Sequence, residues 1–103
     1  MKDAFTLIGI DRKKYAQAMA ENLPMLRAKL GVNQEGLAGM IGITRQTLSA
    51  IENKTREMSW STFLSLLFLF TQNAETKELL PVLGIYTSEL AQCFSFADLN
   101  KLQ

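Results

Sequence analysis

Residues 30–53 read Leu30-Gly31-Val32-Asn33-Gln34-Glu35-Gly36-Leu37-Ala38-Gly39-Met40-Ile41-Gly42-Ile43-Thr44-Arg45-Gln46-Thr47-Leu48-Ser49-Ala50-Ile51-Glu52-Asn53. Two short helical patterns meet here at a glycine. Asn33 offers an N-cap oxygen to a segment whose Leu37, Ala38 and Ile41 fall on one face. Gly42 stops that segment, because glycine accepts the positive φ of a left-handed helix end. Thr44 caps the next one, which runs to about Asn53 with Leu48 and Ile51 inward and Arg45, Gln46, Ser49 and Ala50 outward. Gly36 and Gly39 each cost the first segment about 1 kcal/mol relative to alanine, so packing must hold it where propensity does not. Helix, tight glycine turn and helix together make the outline of a helix-turn-helix.

Working outward, Asp11 is an N-cap for a preceding segment in which Tyr15, Met19, Leu23, Leu26 and Leu30 recur at helical spacing, closed by Gly31 as a left-handed C-cap. Pro24 lies inside that segment. Its ring removes the amide that would bond the carbonyl of Ala20, so the reading favours a sharp kink or a restart at Asn22. Downstream, Ser59 caps a segment from Trp60 to Phe70 with almost no polar face, which must be covered on all sides. Trp60, Phe63 and Leu67 are expected on its core side. Residues 74–83 read as a short helix disturbed by Pro81, Gly84 breaks the chain, and Thr87 or Ser88 caps another helix through Cys93, followed by a pattern from Phe96 to Leu102. The tail residues Leu79, Leu80, Val82, Leu83, Ile85, Tyr86, Leu90, Phe94, Phe96, Leu99 and Leu102 carry more apolar surface than such a tail can hide alone. A homodimer interface is the expected outlet, and an enlarged core within one chain is the alternative. Phe5, Leu7, Ile8 and Ile10 fit a strand, a loose arm or a cap over a partner equally well.

The 103 residues suffice for one core, and an apolar fraction of 48% with 20% charge is ordinary globular composition. There is no histidine and one cysteine, which removes the commonest general acid-base group, any internal disulfide and any cysteine cluster for zinc. No phosphate-binding glycine loop or nucleophile-base pair is visible, so the chain is not read as an enzyme, and neither cofactor nor metal is expected. Cys93, among Leu90, Phe94 and Phe96, reads as a buried thiol in a reducing cytoplasm. The most apolar run, Phe63 to Phe70, is too short for a membrane span, and charges at 11–14 interrupt any signal-peptide core. Charge is uneven: nine basic groups against five acidic ones over 1–56 give +4, and two against five over 57–103 give −3. Such asymmetry turns one face toward a polyanion.

From about Leu23 to Phe70 the ordered residues resemble the DNA-binding domain of phage lambda-type repressors, Cro proteins and Xre-type bacterial regulators. The resemblance rests on Leu30-Gly31-Val32-Asn33-Gln34, Leu37-Ala38, Ile41-Gly42, Thr44-Arg45-Gln46-Thr47-Leu48 and Ile51-Glu52-Asn53. It implies an all-α fold, a lambda repressor-like bundle of about five core helices with a C-terminal helical extension. The expected divisions are an arm and lead-in helix at 1–21, the DNA-binding domain at 22–72, and at 73–103 an extension packed on the same core and used for dimerisation.

The resemblance further implies that the segment from Thr44 is a recognition helix seated in the major groove of double-stranded DNA. Arg45 and Gln46 then contact bases, through guanine O6 and N7 and through adenine, with Ser49 and Ala50 as the next base-facing positions. Gln34, Thr44, Thr47, Asn53, Lys54, Thr55 and Arg56 match positions that hold phosphate. Arg27 and Glu52 match a partly buried salt bridge that orients the first helix against the recognition helix. The expected activity is transcriptional regulation, as a repressor, by a homodimer on an inverted repeat. The alternative is the antitoxin of a toxin-antitoxin pair, with a toxin as protein partner. A third reading is a protein-interaction scaffold without DNA binding. Small-molecule control is expected only through a dimer interface.

Overall fold

A computed structural model of the chain describes residues 10–95. Its elements, all helical among the described residues, are α1 Arg12–Leu30, α2 Gln34–Ile41, α3 Arg45–Glu52, α4 Trp60–Thr71, α5 Ala74–Lys77, α6 Leu79–Val82 and α7 Ser88–Cys93. None of these helices is long and apolar enough to cross a membrane. The arm residues Phe5, Leu7 and Ile8 and the pattern from Phe96 to Leu102 lie outside the described residues.

Five of the helices begin as the sequence indicates. The side chains of Asp11, Asn33, Thr44, Ser59 and Thr87 accept from the amides of Lys14, Gly36, Thr47, Thr62 and Leu90, each three residues on. These bonds occupy first-turn donors that have no partner within the helix. Thr87, not Ser88, is therefore the cap of α7.

Helix α1 departs from the expectation. It runs without a restart through Pro24, and Asn22, where a new cap was expected, turns its amide back onto the carbonyl of Ala18 at 2.8 Å. The proline ring is exposed, while Leu23 and Leu26 on either side are fully buried. Packing of that inner face keeps the helix continuous across the lost hydrogen bond. The stretch 74–83 also differs: it forms two one-turn helices, and Pro81 sits within the first turn of α6, where its missing amide leaves nothing unsatisfied.

The core is a single cluster in which Met19, Leu23 and Leu26 of α1 meet Leu37, Leu48, Ile51, Phe63, Leu66 and Phe70. Trp60 stacks on Phe63 with ring centroids 4.5 Å apart. Part of the tail packs into the chain's own core. Leu80, Ile85 and Leu90 are fully buried in the same core, and Thr87 is hydrogen-bonded through its hydroxyl to Tyr15 of α1. Thr76, also fully buried, donates to the carbonyl of Phe70 at 2.7 Å. Most of the tail's apolar surface is thus hidden inside its own chain. Val82, 81% exposed, and Phe94 stay open on the tail itself. Outside the tail, Phe68 of α4 is 68% exposed and Met40 of α2 60%. They flank a shallow groove of about 470 Å³ completed by Ile41, Leu64, Ser65 and Leu69.

Four helix ends reverse through the same left-handed turn. At α1, α2 and α6 the residue with positive φ is Gly31, Gly42 or Gly84; at α3 it is Lys54, with φ 63°. There the amide of Lys54 donates to Ile51 and that of Thr55 to Ala50, the paired bonds of a Schellman motif. A side chain costs about 1–2 kcal/mol in that conformation. Lys54→Gly is expected to stabilise the chain by about 1 kcal/mol, raising Tm by roughly 4–8 °C for a domain of this size. Calorimetry checks it, and an unchanged or lowered Tm contradicts the strain argument.

Candidate nucleic-acid interface

Helix α3 is amphipathic and only eight residues long. Leu48 and Ile51 anchor it in the core. On the opposite side Arg45 and Gln46 are exposed, while Ser49 and Ala50 are half-buried. No hydrogen bond or ion pair engages the side chains of Arg45 and Gln46 among the described residues. The first turn therefore presents two long polar side chains to solvent beside helix amides that carry a partial positive charge.

Each end of α3 is held from outside the helix. At its start, Thr44 Oγ1 donates to Thr47 Oγ1 at 2.9 Å, and Arg56 Nη1 reaches the same Thr47 oxygen at 3.5 Å. At its end, Thr55 Oγ1 donates to the carbonyl of Ala50 at 3.2 Å. Thr55 and Arg56 thus lie along the flank of α3, which sequence spacing alone does not reveal. Lys54 instead turns toward α1, with Nζ 3.7 Å from Glu21, and Lys13 pairs with Glu57 at 3.3 Å. Asn53 is exposed at the C-cap of α3.

Below the surface, Arg27 of α1 grips Glu52 with two parallel bonds, Nε to Oε2 at 2.8 Å and Nη2 to Oε1 at 2.9 Å. The Glu52 side chain is 5% exposed. Arg27 Nη1 also donates to the carbonyl of Val32 at 3.3 Å, and Gln34 Nε2 donates to Glu52 Oε1 at 3.1 Å. One carboxylate thereby joins α1, the start of α2 and the end of α3. Gln34 enters the sequence reading only as a phosphate-holding side chain, and no local pattern points to its place in this cluster. Burial alone would push the Glu52 carboxyl up. The bonds from Arg27 and Gln34, together with the guanidinium charge, outweigh burial and hold it below the ordinary carboxylate range. The bond to Glu52 in turn raises Arg27 against its own burial.

Residues 25–63 match a family model described as helix-turn-helix. The matched segment runs from the second half of α1 into the first turn of α4. No curated protein and no solved structure matches the chain.

Removing one member of the buried pair leaves an uncompensated charge, so Glu52→Gln and Arg27→Met are each expected to destabilise by about 3 kcal/mol, and the paired apolar replacement Arg27→Met with Glu52→Leu by much less. A depressed carboxyl contributes stability that is present above its unfolded value and lost as pH falls through the folded value. The wild type should lose stability more steeply than Glu52→Gln below about pH 4.3. Urea unfolding from pH 2.5 to 7 measures both effects; parallel curves for the two proteins would contradict the assignment.

Proposed function

Because residues 25–63 form an Xre/lambda repressor-like helix-turn-helix, the domain of DNA-binding regulators, we propose that the chain is a repressor. It binds an inverted-repeat operator as a homodimer, with α3 in the major groove. The observation that carries this reading is the outer side of α3, where Arg45 and Gln46 are solvent-exposed and unengaged on a helix otherwise pinned at both ends. Arg45 donates to guanine O6 and N7, and Gln46 both donates and accepts at adenine. Ser49 and Ala50 follow on the same side as shorter contacts to a base edge and a thymine methyl.

Thr44, Thr47 and Arg56 form one polar ridge beside the first turn of α3, and with Asn53 and Thr55 they hold the flanking phosphates, joined by Lys54 once it leaves Glu21 and by the amide hydrogen of Gln34 that Glu52 does not take. The formal net charge of only +1 limits phosphate contacts per subunit, so affinity requires two subunits. With Leu80, Ile85 and Leu90 hidden in the chain's own core, the α2–α4 groove between Met40 and Phe68 is the apolar concavity open to a second copy. No residue that lines it carries a charge, so two copies bury none by meeting there.

Selection of bound duplexes from a random pool tests the reading. The wild type is expected to enrich an inverted repeat with a steep dependence on salt, and Arg45→Ala and Gln46→Ala to relax preference at the touched positions by about 1–3 kcal/mol each. No enrichment above background at low salt removes the reading. Sedimentation velocity separates the oligomeric part: Phe68→Glu is expected to leave a folded monomer that binds half-sites only. A wild type that is monomeric by itself and with duplex favours the antitoxin alternative, in which this groove receives a toxin.

A further inference from the structure

A second concavity, of about 590 Å³, lies between α1 and the loop 53–58. Its floor is apolar, formed by Ala16 and Ala20 of α1, Ile51 at the end of α3, and Met58. The ionic groups at its edge are already engaged within the molecule. Lys13 pairs with Glu57 and Lys54 with Glu21, and Arg56 donates to Thr47. The Arg12 guanidinium lies 5.8 Å from the centre of the Trp60 ring, and both residues make further contacts. What the groove offers an occupant is therefore its floor, and the occupant that matches it is apolar and needs no counter-charge.

The start of the chain itself meets that description. Ile10 is half-buried against the core, Asp11 caps α1, and Arg12 and Lys13 already line the groove, so the nine residues before Ile10 join the molecule at one end of it. Along α1 the lining runs from Arg12 to Glu21, about 14 Å at the helical rise; nine extended residues reach about 30 Å. In Met1-Lys2-Asp3-Ala4-Phe5-Thr6-Leu7-Ile8-Gly9 the charged side chains stand at positions 2 and 3, and the apolar Phe5, Leu7 and Ile8 follow. Gly9 falls where a segment turning back along α1 must reverse, and glycine accepts the backbone conformations of such a turn.

We propose that residues 1–9 are a strap that folds back over this groove and seats Phe5, Leu7 and Ile8 on its floor. The segment is then a cap, as one reading of the sequence has it, but over its own chain and not over a partner. The strap also bears on the apparatus that holds α3. Ile51 belongs to α3 itself, and in the loop Arg56 reaches Thr47 while Thr55 donates to the carbonyl of Ala50. A segment packed on Ile51 and Met58 braces that loop, and its removal loosens α3 without touching Arg45 or Gln46. This coupling to DNA affinity rests on the function proposed above; the seat itself does not.

Comparison of the full-length chain with Phe5→Ser/Leu7→Ser tests the seat, without DNA, by amide shifts and by the emission of Trp60, the chain's single tryptophan. Both proteins are expected to fold, with shift changes centred on Ala16, Ala20, Ile51 and Met58 and the emission of the variant moved to the red. Changes confined to residues 10–13, or centred on Met40 and Phe68, overturn the strap. A nitroxide on Asp3→Cys, with Cys93 buried, gives a second reading that alters no core residue. It should broaden the amides of Ala16 and Ala20 at least threefold more than that of Met40, and the broadening should persist when the spin-labelled chain is diluted tenfold into unlabelled chain. Uniform broadening overturns the strap, and loss on dilution gives the groove to the first residues of a second copy and overturns it as well. With a selected duplex, Phe5→Ser/Leu7→Ser is expected to bind at least fivefold more weakly than the wild type; equal affinity overturns the coupling. Failure to bind any duplex is a failure of the repressor reading, and the DNA-free measurements still decide the seat.

Discussion

The bidentate contact between Arg27 and Glu52 sets the pose of the helix-turn-helix half of the molecule. Apolar packing of Leu23, Leu26, Leu37, Leu48 and Ile51 supplies most of the free energy, but that attraction has little direction and tolerates sliding of one helix over another. Two parallel charge-assisted bonds at 2.8 and 2.9 Å do not. They hold the end of α3 at one distance and angle from α1, and Gln34 adds the start of α2 to the same carboxylate. Net stabilisation from a pair this deep is small once desolvation is counted. Its consequence here is register: Arg45 and Gln46 face solvent because the far end of their helix has one place to be.

What could be read from the chain before its structure was mostly what acts over three or four residues. The caps at Asp11, Asn33, Thr44 and Ser59 are side-chain-to-backbone bonds within one turn, so residue type at the right offset reveals them. Gly31, Gly42 and Gly84 announce left-handed reversals for the same reason. Lys54 makes the identical turn without the identical signal, because a Schellman end is set by the two backbone bonds that close it and a strained side chain can be carried by the surrounding fold. The Gln34–Glu52 bond spans eighteen positions and has no local signature.

The larger departures share a physical origin in tertiary packing. Pro24 should interrupt an isolated helix, yet Leu23 and Leu26 beside it are fully buried, and this burial outweighs one missing bond. The apolar excess of the tail fits either a partner or an enlarged core of its own; in the structure Leu80, Ile85 and Leu90 are buried in the core of the same chain. Hydrophobic pattern says that a surface must be covered and is silent about which chain covers it. The groove left beside Phe68 is a smaller and differently placed opening than composition suggests.

An eight-residue helix is too short to be stable by itself, so the rigidity of α3 comes from elsewhere. Its start is held through Thr44, Thr47 and Arg56, its inner side by Leu48 and Ile51, and its end by Glu52 and by Thr55 on Ala50. Only one of these restraints, the Thr44 cap, is intrinsic to the helix. The others belong to α1, to the core and above all to the loop 53–58, which lies on the flank of α3 and pairs with α1 at once. A chain arranged in this way sets the aim of the exposed Arg45 and Gln46 with residues outside their helix, and a change in that loop is felt on α3 without any change in those two side chains.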